Sequence, residues 1–136
     1  MYMFADVAAT TTDCPATSAA TIGMDAIADA ITSTPGLVAT TAVAEVGGYE
    51  ARTIDITATD LICDGEASLL ASRPGAVTSW SATINDGQQM RIVLVDLTDD
   101  RTLALVISSE RPPAAYAALL DDAAAVIESL VLSDIP

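Results

Sequence analysis

Apolar residues recur along this chain with two periods, and the switches between them divide it into elements. Met24, Ile27, Ala28 and Ile31 fall at helical spacing and predict an amphipathic helix over about 22–33. Thr21 or Gly23 can cap its start, and Pro35-Gly36 ends it. The C-terminal stretch is the clearest. Pro112 and Pro113 suit the first turn of a helix, and Tyr116, Leu119, Leu120, Ala123, Ile127, Leu130 and Val131 follow as an apolar stripe. Asp121, Asp122 and Glu128 fall off that stripe. An isolated helix of this length is marginal in water. The stripe is therefore expected to make this helix the main lid of the fold, with Leu120→Ala or Ile127→Ala costing about 2–5 kcal/mol.

Between the helices the pattern becomes that of strands. Residues 37–46 and 49–58 flank Gly47-Gly48, a pair that accepts the positive φ angles of a tight hairpin turn. In the second of these, Arg52, Ile54 and Ile56 share one face and Thr53, Asp55 and Thr57 the other, so one face is dry and one wet. Residues 91–98 and 102–109 are nearly continuous apolar runs turning at Asp99-Asp100-Arg101, as expected of central strands covered on both faces. Residues 2–8 suit a first strand, and a further strand is predicted near 78–84, before the Asp86-Gly87 turn. Residues 59–77, with Cys63, Gly65, Pro74 and Gly75, read as a long connection. The expected order is β-α-β-β-β-β-β-α: a single α+β domain over 1–136, with an antiparallel sheet of five to six strands covered by two helices.

Composition narrows the functions open to this fold. Hydrophobic residues make up 51% of the 136, enough for a core, although much of that share is alanine. No apolar run approaches the roughly 18 residues of a membrane span. The start, from Met1 to Asp6, lacks the basic segment and long apolar stretch of a signal peptide. Nineteen acids, fourteen of them aspartate, stand against five arginines, for a net charge of −14. Such a surface repels nucleic acid and anionic lipid. Its acids are scattered, which suits the solvated surface of a salt-adapted or high-GC organism better than a cation-binding site.

There is no histidine and no lysine in the chain. That removes Ser-His-Asp and Cys-His nucleophile systems, imidazole metal sites, Schiff bases and the P-loop lysine. Gly47-Gly48 precedes a strand and is no dinucleotide-binding turn. Cys14 and Cys63 lie in turn-like sequence, each beside an aspartate (Asp13, Asp64), which disfavours a reactive thiolate. They are two unrelated thiols or, the preferred reading, one disulfide. A bridge would close 48 intervening residues, would contribute about 4 kcal/mol in the chain-entropy model, and would imply an exported protein. Asp55 and Asp96 are candidates for a general acid–base pair if they converge; otherwise they face water or pair with Arg52 and Arg91. Asp99-Asp100 and Asp121-Asp122 lack a calcium loop and suit turn and helix-surface roles. No metal or other cofactor is expected. Trp80, with Tyr49 and Arg73, is the candidate ligand or partner surface.

Several short motifs carry a resemblance. Thr34-Pro35-Gly36-Leu37, then Gly47-Gly48-Tyr49-Glu50-Ala51, then a loop cysteine, then the 91–96 strand and a closing Ile127-Glu128-Ser129-Leu130, resemble small actinobacterial domains with a Mog1/PsbP-like α/β sandwich. An early aspartate-cysteine position, here Asp13-Cys14, recurs in them. The resemblance implies that fold and an extracytoplasmic address, and carries over no catalytic or ligand-binding residue. The expectation is a non-enzymatic binding or interaction module, extracytoplasmic or secreted. Its partner is an unknown protein or small ligand, with no nucleic acid and no direct membrane insertion. The alternatives are a small carboxylate-dependent hydrolase using Asp55 and Asp96, and a purely structural ectodomain.

Overall fold

A computed structural model describes residues 2–4, 7–10, 19–59, 61, 65–72, 81–97, 101–109 and 113–129. In chain order the elements are β1 (Tyr2–Phe4), β2 (Val7–Thr10), β3 (Ala19–Thr21), α1 (Met24–Thr32), β4 (Leu37–Val46), β5 (Tyr49–Ala58), β6 (Glu66–Ser72), β7 (Ser81–Asn85), β8 (Gln89–Asp96), β9 (Thr102–Ser109) and α2 (Pro113–Glu128). The chain is α+β with two helices among the described residues, and every described strand pair is antiparallel. The strands form two sheets rather than the single expected one: five in the order β1-β9-β8-β5-β4, and four in the order β3-β2-β6-β7.

The longest hairpin follows from its turn. Gly47 and Gly48 have φ of 59° and 86° in succession, the backbone of a two-residue turn whose twist matches the strands it joins. The register then runs without a shift from Val46↔Tyr49 to Leu37↔Ala58. Alternation along β5, β8 and β9 sends side chains to two separate cores. Ile54, Ile56, Met90, Ile92, Leu94, Ala104 and Val106 meet Met24, Ile27, Ala28 and Ile31 of α1, together with Val7, Ala9, Leu69, Leu70, Ala82 and Ile84 of the smaller sheet. On the opposite face Val46, Ala51, Val93, Val95, Leu103 and Leu105 form a second cluster, against which Ile127 of α2 packs. The apolar runs of β8 and β9 are thus buried on both faces, as their sequences predict.

Two features hid the smaller sheet from the sequence pattern. The predicted strand over 2–8 is two strands, β1 pairing with β9 in one sheet and β2 with β6 and β3 in the other. The stretch read as a long connection contains β6, whose register against β7 shifts between Ser68 and Leu70. That irregularity lets the consecutive Leu69 and Leu70 both enter the core. Period-two alternation is lost where a bulge adds a residue to one strand.

The terminal helix is also less deeply seated than its stripe suggests. Tyr116 and Ala123 are buried, but Leu119, Leu120 and Ile127 are half-buried and Val126 is exposed. Leu130 and Val131 lie outside the described residues. A cavity of about 160 Å³ opens between α2 and the sheet, lined among others by Val93, Ile107, Leu120, Ala124 and Ile127. In α1, by contrast, Ile27 and Ile31 are fully buried.

The turn joining β7 to β8 holds the chain that enters β6. Asp86 accepts the backbone N–H of buried Leu61 through Oδ1 at 2.8 Å and donates its own N–H to the Gly65 carbonyl at 2.9 Å. Gly65 has φ +80°, and a Cβ there would stand 3.0 Å from Asp86 Oδ2, so glycine suits both its backbone and its neighbour. Asp86→Ala leaves the Leu61 N–H without its acceptor and is expected to lower stability by about 1–2 kcal/mol. Asp86→Asn keeps an acceptor oxygen and should lose much less. Urea midpoints of the two variants check this, and equal losses would mean the Leu61 bond contributes nothing.

Candidate functional site

The helical spacing that buries Met24, Ile27, Ala28 and Ile31 places Asp25, Asp29 and Thr32 together along one flank of α1. That flank overhangs β4 and β5 on the sheet face that carries the larger core. The result is an open cleft of about 480 Å³ lined by Asp25, Ala28, Asp29, Thr32, Ala39, Thr41 and Arg52. Arg52 opposes Val43 across the β4–β5 ladder, and Thr41 opposes Ile54, so Ala39, Thr41 and Arg52 share one face by register. Ala28 and Ala39 contribute only methyl groups, and larger side chains there would narrow the cleft.

Arg52 donates through Nε and Nη2 to Asp25 Oδ1, at 3.3 and 3.1 Å. Both side chains reach water, 36% and 74% exposed, so this pair contributes at most about 1 kcal/mol and is easily exchanged for a ligand. Thr32 donates its hydroxyl to the Asp29 carbonyl at 3.2 Å and keeps lone pairs to accept with. The cleft therefore offers a planar guanidinium donor, carboxylate acceptors and two hydroxyls on an apolar floor. Among the described residues its lining includes no Ser, Cys, His or Lys, and its polar groups are the Arg52 guanidinium, the Asp25 and Asp29 carboxylates and the Thr32 and Thr41 hydroxyls.

A second charged group lies on the opposite sheet face. Arg91 grips Asp55 as a fork, Nε to Oδ1 at 2.6 Å and Nη2 to Oδ2 at 3.0 Å, the two residues standing directly opposite in the β5–β8 ladder. The hydrogen bond to Asp55, aided by its charge and opposed by burial, holds the Arg91 guanidinium above its ordinary value. Tyr116 of α2 is pushed up to about 12, first by burial and then by the Asp55 charge, with Arg91 pulling the other way.

These positions decide the fate of the residues singled out in the sequence. Asp55 pairs with Arg91, whereas Asp96, five residues along β8 from Arg91, stands on the other face of the sheet. The two carboxylates do not converge, so the proposed acid–base pair has no geometry. Arg52 pairs with Asp25, not with Asp55 or Asp96. Tyr49 is half-buried against the second cluster, on the face away from the cleft. Asp121 and Asp122 are exposed on α2. Trp80, Arg73, Cys14, Cys63, Asp99 and Asp100 lie outside the described residues.

Sequence reasoning missed Asp25, Asp29, Thr32 and Thr41. Their helical and strand spacings were readable, but only packing shows that these two flanks face each other. Among the described residues no helix is long and apolar enough to cross a membrane. Comparison of the chain with protein-family models, with curated proteins and with solved structures finds no match.

Proposed function

We propose that the chain is a non-enzymatic binding or interaction module whose α1–β4–β5 cleft takes a small polar ligand bearing hydroxyl or amino groups. The observation that carries this reading is the lining of that cleft: one arginine, two aspartates and two threonines over two alanines, open to solvent. Free carboxylate oxygens beside a guanidinium suit vicinal hydroxyls or an amine better than a bare anion, since the acids outnumber the cation. The reading extends to an extracytoplasmic address, with Cys14 and Cys63 joined, and to a Mog1/PsbP-like sandwich. A sheet with α1 on one face and α2 on the other supports the last of these.

Two-dimensional NMR of the labelled protein, titrated with neutral sugars and with small primary amines, tests the cleft. Shifts are expected to gather at Ala28, Thr32, Ala39 and Thr41 and to disappear in Arg52→Gln with Asp29→Asn. If no probe moves these signals, or the shifts persist in the double variant, the cleft reading is lost and the structural-ectodomain alternative gains. Thiol titration of the unfolded, unreduced chain tests the address: no free thiol is expected, and two free thiols would remove the argument for export.

A further inference from the structure

Strand β4 closes one side of the five-stranded sheet. It pairs with β5 along its whole length, and among the described residues nothing pairs with its other edge. Natural sheets blunt such an edge with lysine, proline, a bulge or a charge. From Leu37 to Ala44 this strand has none of them, and its register shows no shift. Residues 30–44 are the longest stretch without a charged side chain in a molecule of net charge −14. Val38 and Val43 are 60% and 78% exposed. Alternation puts them on opposite faces of β4, and Thr40, Thr41 and Ala42 between them are exposed as well.

We infer that this edge is an interface between two copies of the chain, paired antiparallel through β4 about a two-fold axis at Thr40. An axis that joins two edge strands into one antiparallel sheet stands normal to the sheet. A residue on it therefore faces its own copy, and each sheet face continues across the junction. With Thr40 opposite Thr40, Ala39 opposes Thr41, Val38 opposes Ala42, Leu37 opposes Val43 and Gly36 opposes Ala44 of the second copy. Every opposed pair is uncharged. The most exposed valine gains a leucine, and Glu45 falls beyond the ladder.

Charge selects the occupant. Two chains at −14 repel over most of their surfaces, and along this edge no charged side chains stand directly opposite one another, Asp25 and Asp29 lying above it on α1. A foreign strand would have to supply a complement that β4 already supplies for itself. The inference is independent of any ligand in the cleft. Both α1 helices would lie on the same side of the joined sheet, each cleft bordered by the other copy's β4.

Sedimentation equilibrium of the full chain across concentration and salt is the first test. A reversible dimer is expected that tightens as salt screens the net charge. Thr40→Glu sets two carboxylates opposite each other and should weaken association by at least about tenfold, with an unchanged circular dichroism spectrum. Mild oxidation of Thr40→Cys should give a 40–40 cross-link, identified by mass spectrometry so that Cys14 and Cys63 are not mistaken for it. Ala42→Cys should not cross-link, because the two thiols would be offset by four residues, about 14 Å along the strands. A monomer at every concentration and salt overturns the inference, even one that captures a strand of another protein. So does a dimer indifferent to Thr40→Glu, or cross-linking at Ala42 as ready as at Thr40.

Discussion

Ile92→Ala is expected to lower the free energy of unfolding by about 2–5 kcal/mol, the range for truncations that leave a cavity in a packed core. Ile92 is fully buried at the centre of β8, opposite Ile54 on one side and Val106 on the other. It belongs to the cluster in which α1 and the smaller sheet meet the larger one. No neighbouring strand can move in to fill the space without breaking a ladder. Net stabilities of domains this size are about 5–15 kcal/mol, so the variant should be visibly fragile. Ile127→Ala on half-buried α2 should cost less, about 1–2 kcal/mol, because its side chain already borders a cavity and water. Chemical denaturation of both variants checks the order. If Ile127→Ala is the costlier, the terminal helix is the main lid after all.

Raising the pH through about 10 to 12 is expected to lower stability through Tyr116, by about 1–2 kcal/mol once solvent screening is allowed for. In the folded chain Tyr116 is buried as a residue and its phenol pKa is pushed up to about 12, by burial first and by the Asp55 charge second. In the unfolded chain it titrates near 10. The folded state therefore binds this proton more tightly. The stabilisation is complete below about pH 10 and disappears as the pH passes the folded value. Denaturant midpoints from about pH 8 to 12 should show that decline in the parent and a shallower one in Tyr116→Phe. Parallel declines would mean that the Tyr116 hydroxyl is in water.

Local patterns were legible wherever one rule acted alone. The helix over Met24–Thr32 follows from apolar spacing between Gly23 and Pro35. The β4–β5 hairpin follows from Gly47-Gly48, and β8 with β9 from two apolar runs long enough to be covered on both sides. The absence of histidine and lysine determined which catalytic chemistries this chain's own side chains lack, with no structure needed.

Of the smaller sheet, β7 (Ser81–Asn85) matches the strand predicted near 78–84, but β6 was not legible, because its bulge sends adjacent leucines to one core and erases the alternation that marks a strand. The pairing of Asp55 with Arg91 was one of several arrangements the sequence allowed. Register chose it, since a strand's two faces are separated by a single residue step, and the same step put Asp96 on the far side. The cleft depended on packing in the same way. The sequence determined that Asp25, Asp29 and Thr32 lie on one flank of a helix and Ala39, Thr41 and Val43 on one face of a strand. Only the burial of Ile27 and Ile31 against the sheet brought that flank over that face, because side-chain spacing orients residues within an element and tertiary contacts alone orient one element against another.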